Sequence, residues 1–372
     1  MTNPESSTTT DWEYVLIERN LWAGSRGASR ALRSLYDALP ADRRKLLTVG
    51  RPSDLFSLGR RRSPLDKSRV RKKVLIASSM LDVFTILGAK LWRPGTVAVG
   101  PIYHLVPWSP NPEPLSLRLP KFLVQRTAAA LARLTFDGIL TENSHLAEWI
   151  REGNPRVHVI RKSPGIPRRW VPGQPPSLDR TTRDIDILFV SAVKESKGVY
   201  DALQAWERIS QAEPGRRMVV AGYADAGDEA KVRSYIRRRA LRNVELRVNV
   251  EEKEKYDLLG RSKMTILPAY MEGIPYIFYE AMAYGSIVLT YALPTYVDVR
   301  SHIVEVPVEN VEALAQRALQ VLRDDPSKWQ RWIAEGFEFS LQHEFEKVMT
   351  EVAEDLRSWI EDPRAQSISV QI

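Results

Sequence analysis

Glu272 and Glu280 stand eight positions apart in a segment, Glu272–Gly285, that combines a Gly/Pro-containing loop with an apolar helix. Strand-like runs lie on either side of it, at Met264–Pro268 and Ser286–Thr290. In an α/β sheet, ligands bind beyond the carboxyl ends of strands, where free backbone N–H groups and the helix dipole favour anions. We expect Glu272 on the loop and Glu280 at the start of the helix. Since carboxylates accept hydrogen bonds from sugar hydroxyls while amides hold phosphate, the segment predicts a nucleotide-sugar site.

Strand-like and helix-like segments alternate along the chain, which predicts parallel sheets with helices on both faces. The strands predicted for the first half are Tyr14–Ile17, Lys45–Val49, Lys73–Ser78, Thr96–Gly100, Phe136–Leu140 and Arg156–Ile160. Those predicted for the second half are Ile185–Val190, Arg217–Ala221, Val244–Val248, Lys263–Pro268, Ser286–Thr290 and Ile303–Val308. A final long amphipathic helix is predicted from about Phe337 to Trp359.

A Pro-rich segment between Ser163 and Asp184 interrupts this alternation and has the composition of a linker. We place the domain boundary near Pro176. The expected organisation is a disordered tail at 1–12, a first Rossmann-like domain at 13–176 and a second at 177–340. The C-terminal helix and tail, 341–372, would return to the first domain.

Charge is divided unevenly between the two halves. Residues 1–180 hold 29 Lys and Arg against 15 Asp and Glu, whereas residues 181–372 hold 25 against 31, within a net charge of +8. A basic half predicts an anionic partner for that half alone. For its densest stretch, Arg60–Lys73, the interpretations are a solvated loop, an anionic lipid surface and nucleic acid. The basic amphipathic segment Leu117–Leu134 fits either a membrane surface or a helix that covers a sheet.

The composition excludes several kinds of chemistry. A chain with no cysteine has no disulfide, thiolate metal site or cysteine nucleophile. No apolar run approaches the ~20 residues that span a bilayer, and the polar start has no signal-peptide pattern. We therefore expect a cytoplasmic protein, peripheral at the inner face of the membrane. No metal site is expected, because the only Asp-x-Asp of interest, Asp184-Ile185-Asp186, lies where a strand begins.

Three segments of the second half resemble, in order and spacing, the nucleotide-sugar-binding domain of retaining glycosyltransferases with the GT-B fold. The family in question is the family-4 type, which is also called glycosyl transferases group 1. The first is a strand ending at Val190 and followed by Ser191–Gly198, which ends in Lys-Gly. The second is the strand end Val219–Gly222. The third, Glu272–Gly285, is similar to the family's Glu-x7-Glu stretch followed by Ala-Met-Ala-x-Gly. The resemblance covers about residues 184–310 well and implies two Rossmann-like domains facing a central cleft.

The resemblance also implies a role for each matching residue. Glu280 would bind the ribose hydroxyls, Glu272 would bind hydroxyls of the transferred sugar, and Lys197 would neutralise the departing diphosphate. The loop residues whose backbone would hold the diphosphate are Gly273, Ile274, Pro275 and Tyr276. The alternative interpretation of Glu272 and Glu280 is that their carboxylates only interact with the helix dipole. The alternative for Lys197 is an ordinary solvated lysine.

One position departs from the family, which usually has Gly-Arg where this chain has Ser191-Ala192. The second cation on the diphosphate is therefore missing from its place. Lys194 is predicted to supply it, with Arg26 as the alternative. Arg26 belongs to a loop predicted to face the donor and acceptor, although a plain strand-to-helix turn would have the same composition. That loop consists of Gly24, Ser25, Arg26 and Gly27.

His104 resembles the histidine that many family members place beside the donor sugar, and it completes the predicted catalytic set with Glu272 and Lys197. A hydrogen-bonded structural histidine is the alternative interpretation.

The implied activity is transfer of a hexose, with retention and without metal or other cofactor, from a UDP- or GDP-sugar to a hydroxyl acceptor. The acceptor would be a sugar, a lipid-linked sugar, a polysaccharide or a small molecule. The basic half would face an anionic membrane surface. Nucleic acid is not among the expected partners. A sugar-nucleotide epimerase or a phosphorylase on the same fold stays open. So does a non-catalytic paralogue that binds nucleotide sugar or scaffolds a glycan-assembly complex, which Ala192 favours.

Overall fold

The strands of the protein form two six-stranded sheets in which every pairing is parallel. A computed structural model describes residues 12–19, 34–49, 72–77, 83, 86–87, 96–101, 115–161, 164–177, 179, 182–270 and 272–362. Parallel strands covered on both faces are apolar along their whole length, which is why they stand out in the sequence as runs of Val, Ile and Leu. The predicted α/β class is confirmed.

The first sheet has the strand order β2-β1-β3-β4-β5-β6. Its strands are β1 (Trp12–Arg19), β2 (Arg44–Val49), β3 (Lys72–Ala77), β4 (Val97–Pro101), β5 (Gly138–Thr141) and β6 (His158–Arg161). Side chains of β1 alternate between the two faces, as strand geometry requires. Tyr14 and Leu16 enter one apolar cluster, and Val15 and Ile17 enter another on the opposite face. β1 thus begins at Trp12, the last residue of the predicted tail.

The second sheet has the order β12-β11-β10-β7-β8-β9, so the direction of strand addition reverses between β7 and β10. Its strands are β7 (Ile185–Val190), β8 (Met218–Gly222), β9 (Val244–Val248), β10 (Ser262–Leu267), β11 (Ile287–Tyr291) and β12 (Val304–Val306). One continuous apolar core surrounds this sheet and buries Trp206, Phe278 and Tyr291 completely.

Helices connect and cover these strands. Those in the described part of the chain are α1 (Leu115–Thr135), α2 (Ser144–Gly153), α3 (Val199–Ala212), α4 (Ala226–Arg238), α5 (Glu252–Arg261), α6 (Tyr276–Ala283), α7 (Val311–Arg323), α8 (Pro326–Gln342) and α9 (Phe345–Glu361). No helix among the described residues is long and apolar enough to cross a membrane.

The predicted single helix from Phe337 to Trp359 is wrong, because two helices, α8 and α9, occupy this part of the chain. The break lies at His343 and Glu344, where the backbone pairs with Ile166 of the linker as in a parallel strand. The Ile166 N–H donates to the His343 carbonyl at 3.1 Å, and the Phe345 N–H donates to the Ile166 carbonyl at 2.9 Å. A tertiary contact therefore interrupts a sequence whose local pattern is helical.

After this break, α9 packs on the first sheet. Phe345, Met349 and Leu356 join the apolar cluster that contains one face of β1. At the other end of the helix, the Trp359 ring stacks on His158 with ring centroids 4.6 Å apart. The C-terminal helix therefore links the second sheet, from which the chain arrives, to the first.

A polar contact also joins the two sheets, at the edge where their strands end. Ser144 is the first residue of α2, and Asp298 follows β11 in the second sheet. The carboxylate of Asp298 accepts from the Ser144 N–H at 2.7 Å and from the Ser144 hydroxyl at 2.6 Å. Arg161, at the end of β6, lies 3.2 Å from the same carboxylate. Negative charge is favourable at a helix N-terminus, so Asp298 stabilises α2 from the opposite domain.

We predict that Gly165→Ala will destabilise the protein through the linker. A Cβ at Gly165 would collide with the His343 carbonyl oxygen. The linker would then have to move away from the break between α8 and α9. Overpacking of this kind costs about 1–3 kcal/mol of the free energy of unfolding, which a lower urea midpoint would report. Gly173→Ala is the matched control, because a Cβ there meets nothing within 4 Å. Equal midpoints for the two variants would contradict the predicted role of this contact.

Candidate functional site

The reversal of strand order places the loops after β7 and β10 side by side. In open α/β sheets a crevice forms at such a switch point, beyond the carboxyl ends of the strands. β7 pairs directly with β10, and Gly198, after β7, packs against the carbonyl of Pro268, after β10. Gly198 has a φ of +74°, and a Cβ there would collide with that carbonyl. A glycine is therefore required where the two loops meet.

Two of the predicted catalytic residues form an ion pair in this crevice. Lys197 ends the 3-10 turn that follows β7, and its Nζ donates to Oε1 of Glu272 in the loop after β10. The two side chains are 26% and 19% exposed, so a ligand in the crevice can reach both. The Thr295 hydroxyl donates to the Glu272 carbonyl at 2.8 Å and holds this loop from the far side.

Glu280 does not open its helix as predicted. α6 begins at Tyr276, directly after Pro275, and Glu280 is its fifth residue. The physical reason is that a proline disfavours the helical conformation in the residue before it but is well placed next to a helix start. Glu280 consequently lies in the second turn and is buried, with 3% of its surface exposed.

The buried carboxylate of Glu280 is matched by two side chains of α5. The Lys255 Nζ lies 2.7 Å from each carboxylate oxygen, and the Tyr256 hydroxyl donates to Oε1 at 2.7 Å. A buried charge needs such a cation and hydrogen bond, because burial without them is very unfavourable. Lys255 and Tyr256 were not predicted as site residues. The missed signal was a short helix with acidic residues in its first turn and Arg261 in its last.

The Tyr256 ring connects this site to the interdomain linker. It stacks on the Trp170 ring with centroids 4.5 Å apart, and the Tyr284 hydroxyl donates to the Trp170 carbonyl at 2.9 Å. Trp170 belongs to the linker between β6 and β7. The partner of Glu280 is therefore held in place by the segment that joins the two sheets.

The loop between Glu272 and α6 presents backbone donors beside the ion pair. The N–H groups of Gly273 and Ile274 donate to no acceptor among the described residues. Pro275 has no N–H to donate, so the N–H groups that this loop could offer to a phosphate are those of the other three predicted residues. The Tyr276 ring packs against Phe345 of α9 with centroids 5.8 Å apart, which ties this loop to the helix on the first sheet.

Lys194 is exposed at the start of the 3-10 turn that ends in Lys197. Ser191 and Ala192 precede it, and the Ser191 carbonyl packs against Gly222 at the end of β8. Gly222 has a φ of +139°, where a Cβ would collide with that carbonyl. Lys194, the residue predicted to replace the missing arginine, thus lies at the crevice end of β7. Its contact with a ligand stays a prediction.

Five of the predicted site residues lie outside the described residues. They are Gly24, Ser25, Arg26, Gly27 and His104.

Asp184 and Asp186 lie at the opposite end of β7 from the crevice, as the sequence predicted. The Arg261 guanidinium hydrogen-bonds Asp184 and, with weaker help from Arg217, lowers the pKa of that carboxyl to about 2. Asp186 accepts from Arg216 at 2.9 Å and from Lys263 at 2.8 Å. These carboxylates are structural ion-pair partners. Among the described residues, no three His, Cys, Asp or Glu side chains cluster as a metal site would require.

Comparison with solved structures shows the GT-B fold. The chain is similar to a sucrose-phosphate synthase from Thermosynechococcus elongatus, with a TM-score of 0.70, 13% identity, and 94% of this chain and 99% of that chain covered. It is also similar to HepE from Anabaena in a complex with UDP, with a TM-score of 0.69, 13% identity, and coverage of 93% and 100%. The predicted architecture of two Rossmann-like domains around a cleft is confirmed.

Residues 174–339 match the model of the family glycosyl transferases group 1. A glycogen synthase of Mycobacterium tuberculosis is 28% identical over 151 residues, which are 40% of this chain. The chain spans about a third of the length of that relative, 34%.

We predict that Tyr256→Phe will destabilise the protein more than Tyr284→Phe. Tyr256 donates to a buried carboxylate, and a hydrogen bond to a charged group contributes about 1.5–3 kcal/mol. Tyr284 donates to the neutral Trp170 carbonyl, and such a bond contributes only about 0.5–1.5 kcal/mol. The two rings pack in the same aromatic group, with centroids 5.4 Å apart, which makes the variants a matched pair. Urea denaturation measures both, and an equal loss would contradict the assigned role of Tyr256.

Proposed function

We propose that the protein is a retaining glycosyltransferase that moves a hexose from a UDP- or GDP-sugar to a hydroxyl of a sugar, a lipid-linked sugar or a polysaccharide. The observation that carries this proposal is the Lys197–Glu272 pair at the switch point, beside the N–H groups of Gly273 and Ile274, which donate to no acceptor among the described residues. A cation, a carboxylate and free backbone donors in one crevice suit a ligand that is both a polyol and a diphosphate.

In this proposal the donor binds the second domain. Glu280 takes the ribose hydroxyls, and the loop of Gly273, Ile274 and Tyr276 receives the diphosphate. Glu280 is ready for this role because Lys255 and Tyr256 hold its carboxylate in one orientation. A preorganised acceptor costs little reorganisation when the ligand arrives.

Lys197 and Glu272 act at the transferred sugar. When the glycosidic bond breaks, negative charge develops on the diphosphate, and the Lys197 ammonium turns from Glu272 to that charge. Glu272 is then free to accept hydrogen bonds from the sugar hydroxyls. The departing phosphate oxygen takes the proton of the acceptor hydroxyl, so that no separate protein base and no metal ion is required. The acceptor attacks on the face that the diphosphate leaves, which retains the configuration.

Lys194 is the proposed substitute for the family's arginine at Ala192. It is exposed on the turn that carries Lys197, and a lysine side chain is long and flexible. The roles of Arg26 and His104 stay predictions, because both lie outside the described residues.

We further propose that the protein works in the cytoplasm and meets an anionic membrane surface through its basic first half. Support comes from α1, where Leu123 and Val124 are each 53% exposed and Leu134 is 66% exposed. Exposed apolar residues on a helix that also carries arginines suit the interface of an anionic bilayer, to which each nearby cation adds about 1 kcal/mol.

A non-catalytic nucleotide-sugar-binding protein is the second candidate, and Ala192 favours it. Such a protein would keep Glu280 with its partners but would not need a second cation on the diphosphate. The two candidates agree on binding and differ on turnover.

We predict that a nucleotide among UDP, GDP and ADP will raise the melting temperature, by an amount corresponding to about 2.7 kcal/mol at a hundredfold excess over the Kd. Glu280→Ala should abolish this shift, because the ribose anchor is lost. Glu272→Ala and Lys197→Ala should each keep the thermal shift by the nucleotide. Both should lower turnover of the nucleotide sugar, and for Lys197→Ala we expect kcat to fall by about 10²–10³-fold. Glu338→Ala, an exposed carboxylate on α8, is the control.

Thermal shift and release of the nucleoside diphosphate from UDP-glucose, UDP-N-acetylglucosamine and GDP-mannose measure the two effects separately. Absence of any shift by the three nucleotides would contradict both candidates. A thermal shift without turnover, tested over a panel of sugar and lipid-linked acceptors, would favour the non-catalytic nucleotide-sugar-binding protein.

We predict that Lys194→Ala will lower kcat while the nucleotide shift persists, and that Lys194→Arg will restore turnover. A positive charge near the leaving diphosphate accelerates its departure, and arginine supplies that charge as lysine does. Steady-state kinetics measure the change, with the exposed Lys347→Ala on α9 as the control. Unchanged kinetics in Lys194→Ala would rule out Lys194 as the replacement cation.

A further inference from the structure

A second cavity opens on the face of the second domain that α3 and α4 cover. It has a volume of about 670 Å³, within the range of small-molecule binding sites. Glu195, on the 3-10 turn that ends in Lys197, lines one side of it, and α4 lines another from Ala230 to Arg238. None of the residues to which we assign a role in donor binding or transfer contributes to this cavity, which we call the α3–α4 groove.

A nearly buried carboxylate lies on the wall of the groove. Asp201 lines it and is 8% exposed. The Tyr270 hydroxyl donates to Oδ2 of Asp201 at 2.7 Å, and the Tyr291 hydroxyl donates to the same oxygen at 2.5 Å. Oδ1 accepts no hydrogen bond from the described residues. Oδ1 therefore keeps its acceptor capacity on the wall of the groove and is suited to accept a hydrogen bond from a ligand.

The two tyrosines fix this carboxylate as an acceptor. Burial, together with the Asp201 carboxylate, raises the pKa of both Tyr270 and Tyr291 well above the usual range. Both hydroxyls therefore stay protonated at neutral pH and continue to donate to Oδ2. The orientation of Oδ1 is set before any ligand arrives.

Aromatic rings form the neighbouring wall. The rings of Tyr200 and Tyr235 lie with centroids 5.1 Å apart and planes inclined by 58°, and both side chains are partly exposed. Both residues line the groove. An aromatic face is a flat apolar surface that retains a polar hydroxyl at its rim.

Opposite charges in the groove balance each other. Glu195 and Asp201 contribute two carboxylates, and Lys231 and Arg238 contribute two cations. Gln204 adds an amide that both donates and accepts. A lining with this balance disfavours an anion such as a free phosphate or a nucleic acid, and its polar groups disfavour a purely apolar molecule.

We propose that the α3–α4 groove binds a neutral saccharide. A sugar ring has apolar C–H faces that fit against the tyrosine rings, and hydroxyls that each donate and accept. Asp201 Oδ1, Gln204 and the paired charges supply partners for those hydroxyls, as polar sites in mostly preformed pockets do. The groove is a binding site separate from the proposed donor site, and its occupation does not depend on the proposed transfer reaction.

Isothermal titration of the full chain with maltotriose, chitotriose and mannotriose tests this inference. We expect at least one trisaccharide to bind with a Kd of about 1 mM. Tyr235→Ala should weaken binding by at least about tenfold, since the ring that the sugar packs against is lost. Gln204→Ala, a smaller change on a different helix, should also weaken binding, which guards against a folding defect in the first variant.

Arg233→Ala is the matched control on α4, because Arg233 is exposed, pairs with Glu229 at 2.7 Å and does not line the groove. It should leave saccharide binding unchanged. The thermal shift by the nucleotide that binds the wild-type protein should also be unchanged in Tyr235→Ala, so that failure of the groove and failure of the donor site are told apart.

Three results would overturn the inference. The first is no heat of binding from any trisaccharide up to about 20 mM, well above the expected Kd. The second is binding that both Tyr235→Ala and Gln204→Ala leave intact. The third is displacement of the trisaccharide by the nucleotide that binds the protein, together with loss of the shift by that nucleotide in Tyr235→Ala, which would make the groove part of the donor site.

Discussion

The site depends on the reversal of strand order in the second sheet. Because the chain leaves β9 at one edge and re-enters beside β7, two loops become neighbours although Lys197 and Glu272 are 75 positions apart. Their contact also requires Gly198, whose positive φ lets the turn after β7 pack on the Pro268 carbonyl. A side chain at that position would separate the loops. The ion pair is thus set by sheet topology and by a residue that has no side chain.

The linker takes part in the same arrangement instead of serving only as a tether. Ile166 pairs with the break between α8 and α9, and Trp170 stacks on Tyr256, which donates to Glu280. The partner of the buried carboxylate is therefore in direct contact with the segment that joins the two sheets.

Much of the fold could be predicted from the sequence because buried parallel strands are continuous apolar runs, and the second sheet follows them closely. Lys197, Glu272 and Glu280 were recognisable because local motifs carry them. Lys255 and Tyr256 were not, because their contact with Glu280 joins two helices that have no common pattern in the sequence. The break at His343 was missed for a similar reason: its cause, Ile166, lies in another part of the chain.

The two ion pairs of the site differ in a way that suits different tasks. Lys197 and Glu272 are 26% and 19% exposed, so solvent and a ligand reach both side chains, and in the proposed reaction a diphosphate would replace the carboxylate as the partner of Lys197. Glu280 is almost fully buried, and loss of its cation would leave an uncompensated charge, which is strongly unfavourable. The Lys197–Glu272 pair is therefore the one that would exchange partners in the proposed reaction. The Lys255–Glu280 pair must persist, because Glu280 is buried, and it holds the Glu280 carboxylate in one position.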